Sequence, residues 1–365
     1  MPLADEMLND AAVKGLLKAL KVAAPGVAFG ELRRVRLGGL GLRQRTDAVR
    51  DAVLADLPGG YRELADVVHT ALADESFSGW MIWPVSEAAS VRALEDGGPA
   101  AFDAALDLLA LLTPRLTAEF AIRQLLEADL DRALPKVLAW TTDPSEHVRR
   151  LASEGTRPLL PWARRVPAIS ARPGVTVPIL DALHRDESAY VRRSVANHLN
   201  DVSRARPEVV VAAAGRWLSA SADKQTAQLV RHGLRTLVKQ GDPGALTLLG
   251  FAPPDGITFE GPLLSVPTVS VGGELSFTGI LRNTGESAQN LVVDYVVHHR
   301  KANGTTTPKV FKLTTRTLEP GGELRLDRTH SFRLITTRVY HPGAHALEIQ
   351  VNGTSLGKAD FELLG

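Results

Sequence analysis

The chain has 365 residues, more than the roughly 250–300 at which a single hydrophobic core stops growing, so two domains are expected. It has no cysteine, which excludes disulfides, thiolate metal sites, iron–sulfur clusters and a cysteine nucleophile. The formal net charge is only +1 but is unevenly spread: residues 1–142 hold 15 Lys+Arg against 20 Asp+Glu, a net of −5, whereas residues 143–240 hold 16 against 9, a net of +7.

The basic stretch is where an anionic partner is expected. The opening MPLADEMLND is acidic where an export signal is basic, and no apolar run approaches the ~18 residues of a membrane span. A soluble, cytoplasmic protein without a membrane partner is therefore expected. From residue 5 to about 250, apolar residues recur at three- and four-residue spacing, broken by Pro and Gly, which predicts helices. Leu16, Leu17, Leu20 and Val22 mark the first apolar stripe. Later helices centre near Val53 and Val91 and over 64–72, 102–112, 120–126 and 130–140. Trp80 and Trp83, beside Pro84, read as core packing under a loop.

A spaced echo follows. Asp143, Ser145, Val148, Arg149 and Arg150 recur 43 residues later as Asp186, Ser188, Val191, Arg192 and Arg193. A period of about 40–47 residues marks stacked helical repeats of the HEAT type. Asp143 as N-cap, Pro144 in the first turn and Glu146 as a capping-box acid predict a helix running toward Gly155. Asp186 begins the equivalent helix, ending near Leu199. A weaker third copy places Val230, Arg231, Leu234 and Val238 39 residues after Val191, Arg192, Val195 and Leu199. Between the first two copies, Pro158, Pro161, Pro167, Pro173 and Pro178 forbid a continuous helix, so an ordered loop carries Trp162, Arg164 and Arg165.

The texture changes after Asp242, and GFAPPDG at 250–256 reads as a boundary. Beyond it the pattern alternates in period two, with turn signals every eight to twelve residues. Val269 and Val271, then Gly272-Gly273, then Leu275 and Phe277 suggest two strands joined by a turn. Further strands are expected over 292–299, 309–315, 324–332 and 344–351. The expected architecture is mainly α: a HEAT-like repeat solenoid over 1–250, then an immunoglobulin-like β-sandwich over 257–365.

Four stretches taken in order, GWMIWPV (79–85), TAEFAIR (117–123), DPSEHVRRLASEGTRPLLPW (143–162) and YVRRSVANHLND (190–201), resemble the AlkC branch of the bacterial DNA alkylation repair glycosylases built from HEAT-like repeats. The resemblance covers the whole chain, because that branch also carries a C-terminal immunoglobulin-like domain. It implies hydrolysis of the N-glycosidic bond of cationic bases such as N3-methyladenine and N3-methylcytosine, on a base that stays largely within the duplex. Its implied active-site carboxylates are Glu119, Glu154 and Asp201, with Trp162 close by.

Such a lesion carries a positive charge on its ring, so the base leaves without an enzyme-donated proton. What must be stabilised is a sugar with oxocarbenium character, a task for ionised carboxylates. At ~4 Å and an effective dielectric of ~20, a carboxylate and a cation attract by about 4 kcal/mol. If half or more of that is specific to the transition state, one acid gives roughly 30- to 1000-fold in rate. A bland alternative stands beside each residue. Glu154 lies four residues after Arg150, the spacing of an ordinary surface helix pair worth ~0.3–0.5 kcal/mol. Asp201 also fits a helix-end turn, and Trp162 a plug between repeats.

Candidate phosphate contacts are Arg149, Arg150, Arg157, Arg164, Arg165, Arg192 and Arg193, with about half expected to reach DNA; Asn197 and Asn200 add neutral hydrogen bonds. In the sandwich, alternation puts His298 and Arg300 on one face and His299 and Lys301 on the other, leaving Arg300 as the candidate DNA contact. No Asp, Glu or third His stands at a spacing that would support a metal there. The expectation is a monomeric, monofunctional glycosylase without metal or cofactor, acting on alkylated double-stranded DNA. The rival is a silent HEAT scaffold binding DNA or an acidic protein through the same arginines.

Overall fold

The structure is a computed structural model that describes residues 2–220, 223–336 and 338–365. It is helical through its first part and β-rich thereafter: a HEAT-like helical repeat solenoid followed by an immunoglobulin-like sandwich. The chain divides into two compact units, Met1–Gly233 and Leu234–Gly365. The helices Arg235–Gln240 and Pro243–Leu248 belong with the second unit, so that division falls before the last helices, whereas the first strand starts at Ile257. Among the described residues no helix is long and apolar enough to cross a membrane.

In the first unit the repeat governs local structure. The helix Glu146–Gly155 buries Val148, Leu151 and Ala152, and its equivalent Ala189–Val202 buries Val191, Val195 and Leu199. Each helix starts three residues after its aspartate rather than at it. The Asp143 carboxylate accepts the N–H of Ser145 at 2.8 Å, and that of Asp186 the N–H of Ser188 at 2.8 Å. The aspartates thus close side-chain turns just outside the helices, and Ser145 and Ser188 take the cap positions. The second helix runs three residues past Leu199, to Val202. The third copy is split into Lys224–Gly233 and Arg235–Gln240. Of the first apolar stripe, Leu16 and Leu20 are fully buried, but Val22, at the helix end, is exposed.

Gly155 lets the Glu146–Gly155 helix approach its neighbour closely. A Cβ there would stand 2.8 Å from Ile122 Cγ2, on the helix Ile122–Ala128. This contact brings the end of one helix against the start of the other, where two of the expected carboxylates lie.

The second unit contains β1 (Ile257–Leu264), β2 (Thr268–Ser270), β3 (Glu274–Asn283), β4 (Gln289–Arg300), β5 (Thr306–Leu318), β6 (Glu323–Ser331), β7 (Gly343–Val351) and β8 (Thr354–Leu364). They form two sheets, ordered β1-β3-β6 and β2-β8-β7-β4-β5. The Gly272-Gly273 turn does not make a hairpin: β2 pairs in parallel with β8 in the other sheet, so the chain crosses between sheets there. Alternate residues Val293, Tyr295 and Val297 of β4 meet Phe277 of β3, Phe332 and Phe361 in one core.

Three histidines share this core. His299, His330 and His345 gather around Phe332, with the His330 ring 4.8 Å and the His299 ring 6.2 Å from it. Arg338 donates to His299 Nε2 at 2.6 Å, so that imidazole is neutral with its proton on Nδ1. Burial, then the nearby Arg338 charge, pushes the pKa of His299 down to about 3 and that of His330 down to about 4. The unfolded chain takes up these protons near pH ~6.5, well before the folded sandwich does. Stability is therefore complete above that pH and drains away as pH falls toward the folded values. Urea melting across pH 7 to 4 should show the loss, at up to about 1.4 kcal/mol per pH unit per histidine. His330→Phe should flatten the slope; an unaltered slope would contradict this account.

Candidate active site

Three carboxylates come together from three segments of the first unit. Glu119 lies in the turn before the helix Ile122–Ala128, Glu154 in the last turn of Glu146–Gly155, and Asp201 in the last turn of Ala189–Val202. Their residue exposures are 9%, 6% and 6%. Two arginines thread between them. Arg150 Nη1 donates to Glu119 Oε2 at 2.5 Å, and its Nη2 lies 3.6 Å from Glu154 Oε1. Arg157 Nη1 donates to the same Glu154 oxygen at 2.6 Å, and its Nε to Asp201 Oδ2 at 2.9 Å. The result is one chain of alternating charge, Glu119–Arg150–Glu154–Arg157–Asp201, with three negative members and two positive. The site is almost closed to water, and buried Arg123 lies within the field of Asp201 as a third cation beside the chain.

Neutral donors complete the cluster. Ser194 Oγ donates to Glu154 Oε2 at 2.6 Å, and Thr117 Oγ1 to Glu119 Oε2 at 3.0 Å. Both Glu154 oxygens are thereby occupied. Asp201 Oδ1 and Glu119 Oε1 accept no hydrogen bond among the described residues, which leaves each with free acceptor capacity. Burial disfavours charge on Arg150 and Arg157, yet both guanidinium pKa values are raised: the fields of Glu119 and Glu154 act on the first, and hydrogen bonding to Asp201 with the field of Glu154 on the second.

The shell around the cluster is set by residues that sequence patterns alone did not single out. Tyr190 lies under Arg150, whose Cζ is 4.8 Å from the ring centroid, and Tyr190 in turn meets His147 edge-on. In the repeat, His147 is the counterpart of Tyr190, which is the one trace of this role in the sequence. Fully buried His198 donates through Nδ1 to the Ser153 carbonyl at 2.8 Å and accepts from Thr176 Oγ1 at Nε2, also 2.8 Å. Burial pushes its pKa down to about 3, so it is a neutral strut between repeats. Arg123, wholly inside, donates to the carbonyls of Gly155 (3.0 Å), Arg157 (2.6 Å) and Arg164 (3.0 Å), tying the Trp162 loop to the carboxylate cluster. Burial, then Arg165, pushes its pKa down to about 10.

The arginines expected to line an anionic surface divide into two groups. Arg149 is buried, grips Asp186 with two nitrogens (2.6 and 3.1 Å) and donates to the carbonyls of Asp143 and Pro144. Arg192, 43 residues on, donates to the equivalent carbonyls of Asp186 and Glu187 at 2.6 and 2.8 Å. Both are turned to the backbone, because carbonyls left unpaired before a helix are within reach of a fork of donors. Arg164, Arg165 and Arg193 are exposed, and Arg193 has no ion-pair or hydrogen-bond partner among the described residues. Asn197 faces His232 at 3.0 Å, and Asn200 is buried. Trp162 is 68% exposed on a backbone with φ +62°, a conformation that costs a non-glycine residue about 1–3 kcal/mol. Arg300 belongs to the second unit, where its guanidinium lies over Gly343.

Similarity to known proteins extends over the whole chain. The family described as "Uncharacterised protein YhaZ, C-terminal Ig-like domain" matches residues 258–365. Over 325 residues the chain is 33% identical to the uncharacterized protein YhaZ of Bacillus subtilis (strain 168), covering 89% of this chain and 88% of that one. Among solved structures, the Pseudomonas fluorescens alkylpurine DNA glycosylase AlkC, bound to DNA containing an abasic site analog, superposes with a TM-score of 0.86 at 33% identity over 99% of both chains.

The charge chain makes a stability prediction of its own. Arg157→Met strands Glu154 and Asp201 as neighbouring buried anions and should cost about 3–5 kcal/mol in urea melting. Adding Asp201→Asn in the same chain should recover part of that loss. Strictly additive losses would show that the arginine is not there to compensate charge.

Proposed function

The chain belongs to the AlkC-type alkylpurine DNA glycosylase family of HEAT-like repeat proteins, and from that premise we propose that it repairs alkylated DNA by hydrolysing the N-glycosidic bond of cationic bases. The substrates of this reading are N3-methyladenine and N3-methylcytosine in duplex DNA. The observation that carries it is the buried trio of acids with only two arginines among them. A scaffold has no use for three acids converging on one spot out of water, whereas a cleft that meets a cationic base and a cationic sugar does.

In this mechanism the electron pair of the C1′–N bond passes to the ring and neutralises it, leaving positive charge on the sugar. Glu154, with both oxygens fixed by Arg157, Arg150 and Ser194, is a static anion that stabilises that charge without reorganising. Asp201 keeps Oδ1 open, so it is the group that orients water, which bonds to C1′ as its proton passes to the carboxylate. Glu119, neutralised most closely by Arg150, adds a supporting share of field. No lysine takes part, so the product is an abasic site and the strand is not cut. Exposed Arg164, Arg165 and Arg193, with Trp162, supply contacts to the backbone and sugar.

In N3-methyladenine the methyl group lies in the minor groove, which allows attack from the backbone side while the base stays in the stack. Defined duplexes carrying single methylated bases, read by chromatography of what is liberated, test the substrate class. Glu154→Gln and Asp201→Asn should each lower release roughly 30- to 1000-fold while leaving duplex binding nearly intact. A parent protein that holds the duplex but liberates no base would be the scaffold instead. A complex with the lesion extruded into a closed pocket would overturn the unflipped geometry.

A further inference from the structure

Beside the carboxylate cluster runs a column of aromatic rings. Trp80 and Trp83 lie 6.1 Å apart, and Trp83 stacks on Phe120 at 4.5 Å, one residue from Glu119. Against Phe120 lies a cavity of about 210 Å³, lined by Phe120, Trp162, Ala163, Arg164, Arg43 and Glu87. Trp162 shares this cavity with Phe120 but has no ring partner among the described residues. Its left-handed backbone holds it there at a conformational cost.

The edge of the cavity is a neutralised ion pair. Glu87 is 1% exposed and takes four donors: Arg43 Nη1 and Nη2 at 2.7 and 3.1 Å, Trp83 Nε1 at 3.1 Å and Gln124 Nε2 at 2.6 Å. Arg164 is matched to Glu127 at 3.2 Å. The cavity therefore has two aromatic rings in its wall, arginine donors along its edge, and no strong net charge. It is also smaller than the roughly 300–1,000 Å³ clefts that hold larger ligands, so it has room for a single flat ring system but not for a nucleotide with its sugar and phosphate.

Resting on the glycosylase reading above, we infer that this cavity is an exit site for the liberated neutral base. Cleavage changes the charge of the leaving ring. While cationic, the lesion is attracted to the nearby carboxylates; once the C1′–N electron pair has neutralised it, that attraction is gone. Stacking on an aromatic face is what then favours a neutral heterocycle, and Phe120 and Trp162 provide such faces next to the cluster. Arg43 and Arg164 offer its edge donors.

Equilibrium dialysis of free 3-methyladenine against the full-length protein tests this without reference to turnover. Wild type should take up the base saturably, one per chain. Ala163→Phe, which fills the cavity, and Arg43→Gln, which alters its edge, should each weaken uptake about tenfold or more, with unchanged far-ultraviolet circular dichroism showing that the chain has folded. Two variants guard against either one failing to fold. Absence of saturable uptake by the wild type, or uptake that both folded variants retain in full, would overturn the inference. Uptake by a wild-type protein that releases no base from any alkylated duplex would instead sink the glycosylase reading and leave a base-binding cavity standing.

Discussion

Three carboxylates cannot leave water together in one small volume unless cations go with them. The desolvation of each ion costs several kcal/mol, and like charges a few ångströms apart add to it. This constraint organises the first unit. Arg150 lies four residues before Glu154 on one helix and Arg157 three residues after it, just past the helix end, each reaching outward to an acid from a different segment. The helix Glu146–Gly155 is in this sense the spine of the site. Its C-terminal glycine admits the neighbouring helix, Arg150 within it and Arg157 just beyond it hold the flanking acids, and its glutamate receives both. Arg123 and His198, buried and fixed to backbone carbonyls, keep this spine in register with the segments before and after it.

The repeat supplies the frame, and departures from the repeat supply the chemistry. Positions 43 residues apart that keep their identity are structural: the aspartates that close the turns and the arginines, Arg149 and Arg192, that satisfy the carbonyls before each helix. Positions that differ are those of the cluster. Glu154 faces Asn197 in the alignment of the two copies, Arg157 faces Asn200, and His147 faces Tyr190. Arg150 and Arg193 keep their identity but not their surroundings. The first is pinned between acids over an aromatic ring, and the second is exposed without a partner among the described residues.

Much of the fold was legible from periodicity. The three- and four-residue spacing marked the helices, the alternation after residue 256 marked most of the strands, and the repeat fixed which helices are equivalent. The departures have local causes. Asp143 and Asp186 look like caps by composition, yet a short acid can close a turn one step earlier, and only the backbone path decides between the two. The segment 268–277 has the pattern of a hairpin, but β2 finds its partner in β8, almost a hundred residues away. A run of arginines reads as a basic surface by count, although Arg192 donates to backbone carbonyls and Arg149 to backbone carbonyls and Asp186, because counting charge says nothing of direction.

The sequence by itself determined the class of fold and the register of the repeats, since these follow from spacing along the chain, and its motifs pointed to the acids through a family resemblance. Tertiary structure alone decided that Glu119, Glu154 and Asp201 share one cluster, which arginines hold them, that Tyr190 and Ser194 support them, and that a ring-lined cavity opens beside Phe120. The reason is physical: ion pairing and stacking act over a few ångströms in space, between residues 31 to 44 positions apart in the chain. No local pattern encodes which of many charged side chains will meet once the helices have packed.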